Sequence, residues 1–151
     1  MKMIEGVKVK RLEKILDERG YVAHFMRNDD VDFQKFGEVY FAAAFPGAIK
    51  GWHIHKKMTL NYVCVAGNAK VVLYDHRPDS PTRGTIEEHF IGDNNYARLT
   101  IPPGVANAWT PVGGNWALLA NCATEPHAPG EMERIDPLSN IIPYKWGIRH
   151  R

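Results

Sequence analysis

Gly47-Ala-Ile-Lys50-Gly-Trp52-His53-Ile-His55-Lys-Lys57-Met-Thr-Leu60-Asn-Tyr62-Val-Cys64-Val-Ala-Gly67 decides how the whole chain is read. Two histidines, three lysines and a tryptophan lie between two glycines, and the stretch runs on into the alternation of a strand. His53 and His55 are two residues apart, so on an extended strand both imidazoles point to one face. Such a pair can bind a metal, share a proton-transfer site or line a polar cavity. A bare His-x-His decides nothing among these. The spacing around it carries more: Gly47 precedes His53 by six residues, Leu60 follows His55 by five, and Gly67 closes the segment.

The surrounding chain reads as a β protein. Val7–Leu12 alternates apolar and basic, Tyr21–Met26 and Phe36–Phe45 are strand-like, and Gly67-Asn68 joins two strands as a hairpin turn. Leu12-Glu-Lys-Ile-Leu16 reads as a short helical turn ended by Asp17–Gly20. Asp75–Gly84 is a loop, Glu88–Ile91 and Ala97–Ile101 are further strands, and Pro102-Pro-Gly104 turns the chain. Trp116–Ala123 is a buried strand, and from Thr124 onward four prolines make the chain irregular, ending in a solvated tail from Lys145 to Arg151. Short strands at even spacing with Gly, Pro and Asn turns predict an all-β sandwich or barrel, one domain over residues 1–151.

Composition narrows the partners. A formal charge of +2 is too small to argue for nucleic acid or a membrane surface, and no apolar run reaches the length of a membrane span. Met1–Gly6 lacks the apolar core of a signal peptide, and Cys64 and Cys122 sit in apolar runs as buried free thiols. The expected compartment is a reducing cytoplasm.

Gly47, His53, His55 and Gly67 resemble the first motif of the cupins, whose glutamate position holds Leu60 here. The second cupin motif falls on Pro102-Pro-Gly104-Val-Ala-Asn107, with asparagine in the place of a histidine ligand. Leucine offers a metal no lone pair, and two histidines alone are a poor site, so the pattern implies no metal and no other cofactor. The resemblance is to the metal-free nucleotide-sugar cupins, dTDP-4-dehydrorhamnose 3,5-epimerase above all. Asp17-Glu-Arg-Gly-Tyr21, Pro46–His53, Tyr74-Asp-His-Arg-Pro-Asp-Ser-Pro-Thr-Arg-Gly84, Ile101–Trp109 and Ile135–Pro143 each resemble a segment of that family, in the same order. The implied fold is a cupin jelly roll, and the implied partner is a nucleotide-linked 4-keto-6-deoxy sugar bound by a homodimer that exchanges N-terminal strands.

The same resemblance places the family's base on His53 and its phosphate contacts on Arg19 and Lys50. Its catalytic tyrosine falls on Asn121, its lysine near Leu60 and its second histidine on Asn107. The aspartate that orients the base would fall beyond Arg151. His53-Ile-His55-Lys-Lys57 also resembles the sugar 3,4-ketoisomerases, and a sugar-nucleotide-binding cupin without catalysis is a third reading.

Both reactions begin with proton removal beside a ketone, work for which a neutral imidazole is suited. His53 is the expected base and His55 a second base or proton carrier. Lys57, Asn107 or Asn121 could donate to the oxyanion, and Tyr62 or Tyr74 could replace the missing acid. Arg19, Lys50 and Arg77 are candidates for the diphosphate, and Tyr21 or Trp52 for stacking on the nucleobase.

Overall fold

The computed structural model describes residues 3–148 and contains strands but no helix. Consequently no helix among the described residues is long and apolar enough to cross a membrane. Two five-stranded antiparallel sheets face each other in the jelly-roll arrangement. The first runs β1 (Lys8–Arg11), β9 (Ala97–Ile101), β6 (Leu60–Ala66), β11 (Ala117–Ala123), β4 (Glu38–Ala44). The second runs β12 (Met132–Arg134), β5 (Lys50–His55), β10 (Val105–Val112), β7 (Asn68–Asp75), β8 (Ile86–Gly92). A separate hairpin joins β2 (Lys14–Asp17) to β3 (Gly20–Ala23).

Strand alternation explains the layering. Leu60, Tyr62, Leu99 and Leu119 from the first sheet meet Val71, Leu73, Val105 and Trp109 from the second in one apolar cluster. The opposite face of the second sheet is covered too. Trp52, Ile54, Val72, Ala106 and Ala108 pack beneath Ile142 and Tyr144, with Trp146 against them. Trp52 meets the Tyr144 ring edge-on at 6.2 Å, and Tyr144 meets Trp146 at 4.8 Å. Such pairs contribute roughly 0.5–1.5 kcal/mol beyond the area they bury. The stretch expected to be a solvated tail is therefore a cover as far as Trp146, while Arg149–Arg151 lie outside the described residues.

The hairpin at Gly67 forms as expected. Gly67 has φ +72°, and a Cβ there would stand 2.3 Å from the Trp116 carbonyl oxygen. The expected helical turn at Leu12–Leu16 is instead β2, whose Ile15 and Leu16 face outward and are exposed. Two further strands were not expected. In β10, Val105–Trp109 are buried on both faces, so no apolar alternation marks them. In β12, three residues extend the second sheet beside β5, within the stretch read as irregular.

Arg98, on β9, reads in sequence as a surface charge but is fully buried. Its guanidinium bonds the Phe25 carbonyl and Asp30, at 3.0 and 2.8 Å, and so ties the 24–37 loop onto the outer face of the first sheet. Lys10, the Arg27 backbone N–H and Arg98 together hold the Asp30 carboxyl far below the usual carboxylate range.

Candidate active site

His53 and His55 lie side by side on the inward face of β5, the face shared with Asn107 across the β5–β10 ladder. Asn107 is 1% exposed and bridges the two sheets. Its Nδ2 donates to the His53 backbone carbonyl at 3.2 Å, and its Oδ1 accepts from the Tyr62 hydroxyl at 3.0 Å. Beyond Tyr62 stands Tyr40 on β4, whose hydroxyl accepts from Asn121 Nδ2 at 3.1 Å. Asn121 Oδ1 in turn accepts the Asn61 backbone N–H at 2.9 Å. The interior beside the histidines is thus a line of two asparagines and two phenols, each with a partner, as buried polar groups require.

Lys50 would fall on the other face from His53 in an unbroken strand, three residues away. A β-bulge between Asn107 and Ala108 restores it to the inward side, opposite Trp109. Gly51 lies opposite Ala108, where a Cβ would come within 2.6 Å of the Ala108 Cα. Only glycine lets the two strands approach so closely there.

The charges around the two imidazoles differ. Burial, then Arg134 opposite it on β12, then His55 and Lys50, push the His53 imidazole down to about 4. It is therefore neutral at physiological pH. His55 is paired instead: its Nδ1 stands 2.7 Å from Glu131 Oε2. Glu131 Oε1 accepts the backbone N–H groups of Lys57 and Met58 at 3.0 and 2.9 Å. Burial acts to raise the Glu131 carboxyl, but these two N–H groups and His55 outweigh it and hold the group below its ordinary value. Burial, with the nearby Tyr40 phenol, raises Tyr62 well above a free tyrosine, so its hydroxyl keeps its proton and can donate.

His53, His55, Asn107, Asn121 and Tyr62 are brought together, with Lys50 at the rim. The other expected residues are placed elsewhere. Trp52 alternates onto the opposite face of β5, 1% exposed in the cover cluster, where it cannot stack on a nucleobase. Tyr74 packs on that same outer side. Arg77 is engaged: its Nε and Nη2 donate to Asp75 at 2.9 and 3.0 Å and its Nη2 to the Glu5 carbonyl at 2.8 Å. Asp75 also accepts from Ser80 and Thr82, so the Asp-His-Arg-Pro-Asp-Ser-Pro-Thr segment is a clasp that shapes its own loop. Lys57 is exposed, contributing only its backbone N–H to Glu131. Arg19 and Tyr21 sit on the β2–β3 hairpin, Arg19 exposed and paired with Asp17, and Tyr21 beneath the Lys14 ammonium at 4.8 Å. Cys64 is buried and Cys122 half-buried, both free thiols.

Tyr40, Glu131 and Arg134 are the site residues that sequence reading missed. Tyr40 alternates inward with Ala42 and Ala44 on β4, a pattern legible in principle, whereas Glu131 and Arg134 lie in a stretch with no period. Among the described residues no group of three or more His, Cys, Asp or Glu side chains is arranged to hold a metal ion.

Comparison with known proteins shows the family of the chain. The family model for dTDP-4-dehydrorhamnose 3,5-epimerase matches residues 1–151. The chain is 34% identical over 151 residues to the spore coat polysaccharide biosynthesis protein SpsL of Bacillus subtilis, covering 99% of this chain and 100% of that one. It is 31% identical over 146 residues to Agl13 of Haloferax volcanii, described as a probable low-salt glycan biosynthesis epimerase, covering 95% and 90%. Among solved structures, a dTDP sugar isomerase from Desulfovibrio desulfuricans superimposes with a TM-score of 0.92 at 39% identity, over 95% of this chain and 92% of that one.

Proposed function

The chain belongs to the dTDP-4-dehydrorhamnose 3,5-epimerase family, and on that premise we propose that it is a cytoplasmic isomerase of nucleotide-linked 4-keto-6-deoxyhexoses. It exchanges a proton on a carbon next to the ketone, as one cupin domain that works as a homodimer without a cofactor. The observation that carries this reading is the His53–His55 pair on one inward face, beside the hydrogen-bonded Tyr62 and Asn107. Imidazoles move the proton, while a phenol held protonated donates to the oxyanion or to carbon.

The charges at the rim support this substrate class. Lys50 and Arg134 give the approach to His53 a positive field suited to a diphosphate. We assign Arg19, exposed on the β2–β3 hairpin, to the phosphates in the pocket of a second copy. The names of SpsL and Agl13 support a role in supplying activated sugar for a surface polysaccharide or glycan.

The test is NMR of a dTDP-4-keto-6-deoxyhexose in heavy water. Deuterium is expected to enter C3, since the position of the family tyrosine is held by Asn121 and inversion at C5 needs a second acid. The double variant His53→Asn, His55→Asn should bind the nucleotide and exchange at least about 100-fold more slowly. Migration of the carbonyl signal to C3 would point to a ketoisomerase instead. Binding of several nucleotide-linked 4-keto sugars without exchange at any carbon would overturn the catalytic reading.

A further inference from the structure

His53 and His55 share a face but not an environment. The neighbours that bear on His53 are Lys50, Arg134 and His55, all cationic or neutral, and no carboxylate meets its ring among the described residues. His55 meets Glu131 at 2.7 Å, with both side chains about nine-tenths buried. An ionised carboxylate only accepts hydrogen bonds, so His55 must carry a proton on Nδ1, and the neutral form of the ring then presents its lone pair on Nε2. For Nε2 there is no hydrogen-bond partner among the described residues. Glu131 is itself fixed by the Lys57 and Met58 N–H groups at the turn after β5, so the imidazole is held in orientation as well as in tautomer.

We propose that Glu131 is a positioning residue that makes His55, rather than His53, the proton acceptor of the pair. The carboxylate selects the tautomer and faces the positive charge that develops on the ring, the part played by the buried aspartate of hydrolase triads. Nothing comparable supports a charge on His53, which stays neutral and serves as a hydrogen-bonding group toward the ketone. In the step itself the C–H bond beside the ketone breaks and its proton passes to His55 Nε2. The bond's electron pair forms the enolate double bond while the carbonyl π pair moves onto oxygen. The reverse transfer returns a proton, or a deuteron acquired from solvent, to carbon.

The assignment rests on the epimerase reading, and one set of measurements separates the two. In Glu131→Gln the remaining oxygen can still accept the Lys57 and Met58 N–H groups, but the amide NH2 donates to Nδ1 and moves the His55 proton to Nε2. The expected result is deuterium exchange slowed by about 100- to 10,000-fold, with the dTDP dissociation constant unchanged and the His55 ring nitrogens exchanging their NMR signatures. Glu131→Asp should recover part of the rate. Exchange by Glu131→Gln within about threefold of wild type overturns the assignment alone, and so does a lost rate with the His55 tautomer unchanged. A wild-type His55 protonated on Nε2 overturns it without any variant, should Glu131→Gln fail to fold. Wild-type protein that exchanges nothing refutes the functional reading and the assignment together.

Discussion

Holding His53 neutral makes the stability of the fold depend on pH. Its imidazole falls from 6.5 in the unfolded chain to about 4 when folded, so the unfolded state takes up the proton first. Between those values the unfolded chain binds more protons, and stability declines as the pH is lowered. The contribution is fully present above 6.5 and is lost as the pH falls through about 4. Because solvent reaches part of the ring, screening reduces the effect to roughly 1 kcal/mol. Urea unfolding of wild type and His53→Gln at pH 7 and pH 4.5 measures it: wild type should lose more stability than the variant over that interval. Parallel losses would mean that His53 titrates normally. The histidine pair was legible because two residues of a strand share a face whatever the rest of the fold does. Glu131 was not, since it reaches His55 from 76 residues away. Arg98 was misread for the same reason: Asp30, which buries it, comes from a loop 68 residues earlier.

At the level of elements, the Asp75–Gly84 loop shows how a motif can be specific in sequence and structural in purpose. Asp75 is fully buried and gathers Arg77, Ser80 and Thr82 around one carboxylate. Burial acts against its charge, yet those donors hold it far below the ordinary range. Through Arg77 the loop also pins the chain at Glu5. Asp75→Ala leaves the Arg77 guanidinium and two hydroxyls without their acceptor and should cost about 3 kcal/mol, with Asp75→Asn losing less. A shift in the urea midpoint worth under about 0.5 kcal/mol would show that the clasp contributes little. The Ser-Pro-Thr signature was readable as a family mark, but its purpose needed the register that brings Asp75 under the loop. The β6–β7 hairpin was readable because glycine marks its turn and flanking apolar runs mark its strands. Strand β10 lacked such a mark because sheet and cover bury it on both sides, and β12 is too short to show a period.

For the whole molecule, the question is what covers the outer face of the first sheet. Its Val39 and Phe41 are 50% and 63% exposed, and a groove of about 350 Å³ beside them is lined also by Tyr21, Phe25 and Val65. On the neighbouring hairpin, Ile15, Leu16 and Val22 are exposed as well. A chain that left so much contiguous apolar surface wet would tend to associate without specificity. The edge strand β4 adds unpaired backbone groups along one side of that surface. A second copy related by a two-fold axis would bury the patch against itself and close the edge, and would carry the Arg19 hairpin toward the neighbouring site. Sedimentation should therefore find a dimer at micromolar concentration. Phe41→Glu places a charge in the middle of the patch while leaving the inward residues of β4 untouched, and should give a folded monomer. If hairpin exchange matters for binding, that monomer should hold dTDP at least about tenfold more weakly, because the partner's Arg19 is withdrawn from the phosphates. A wild-type monomer would remove the two-fold arrangement altogether. A dissociated variant that binds dTDP as wild type does would keep the dimer but strip Arg19 of its place in the neighbouring pocket.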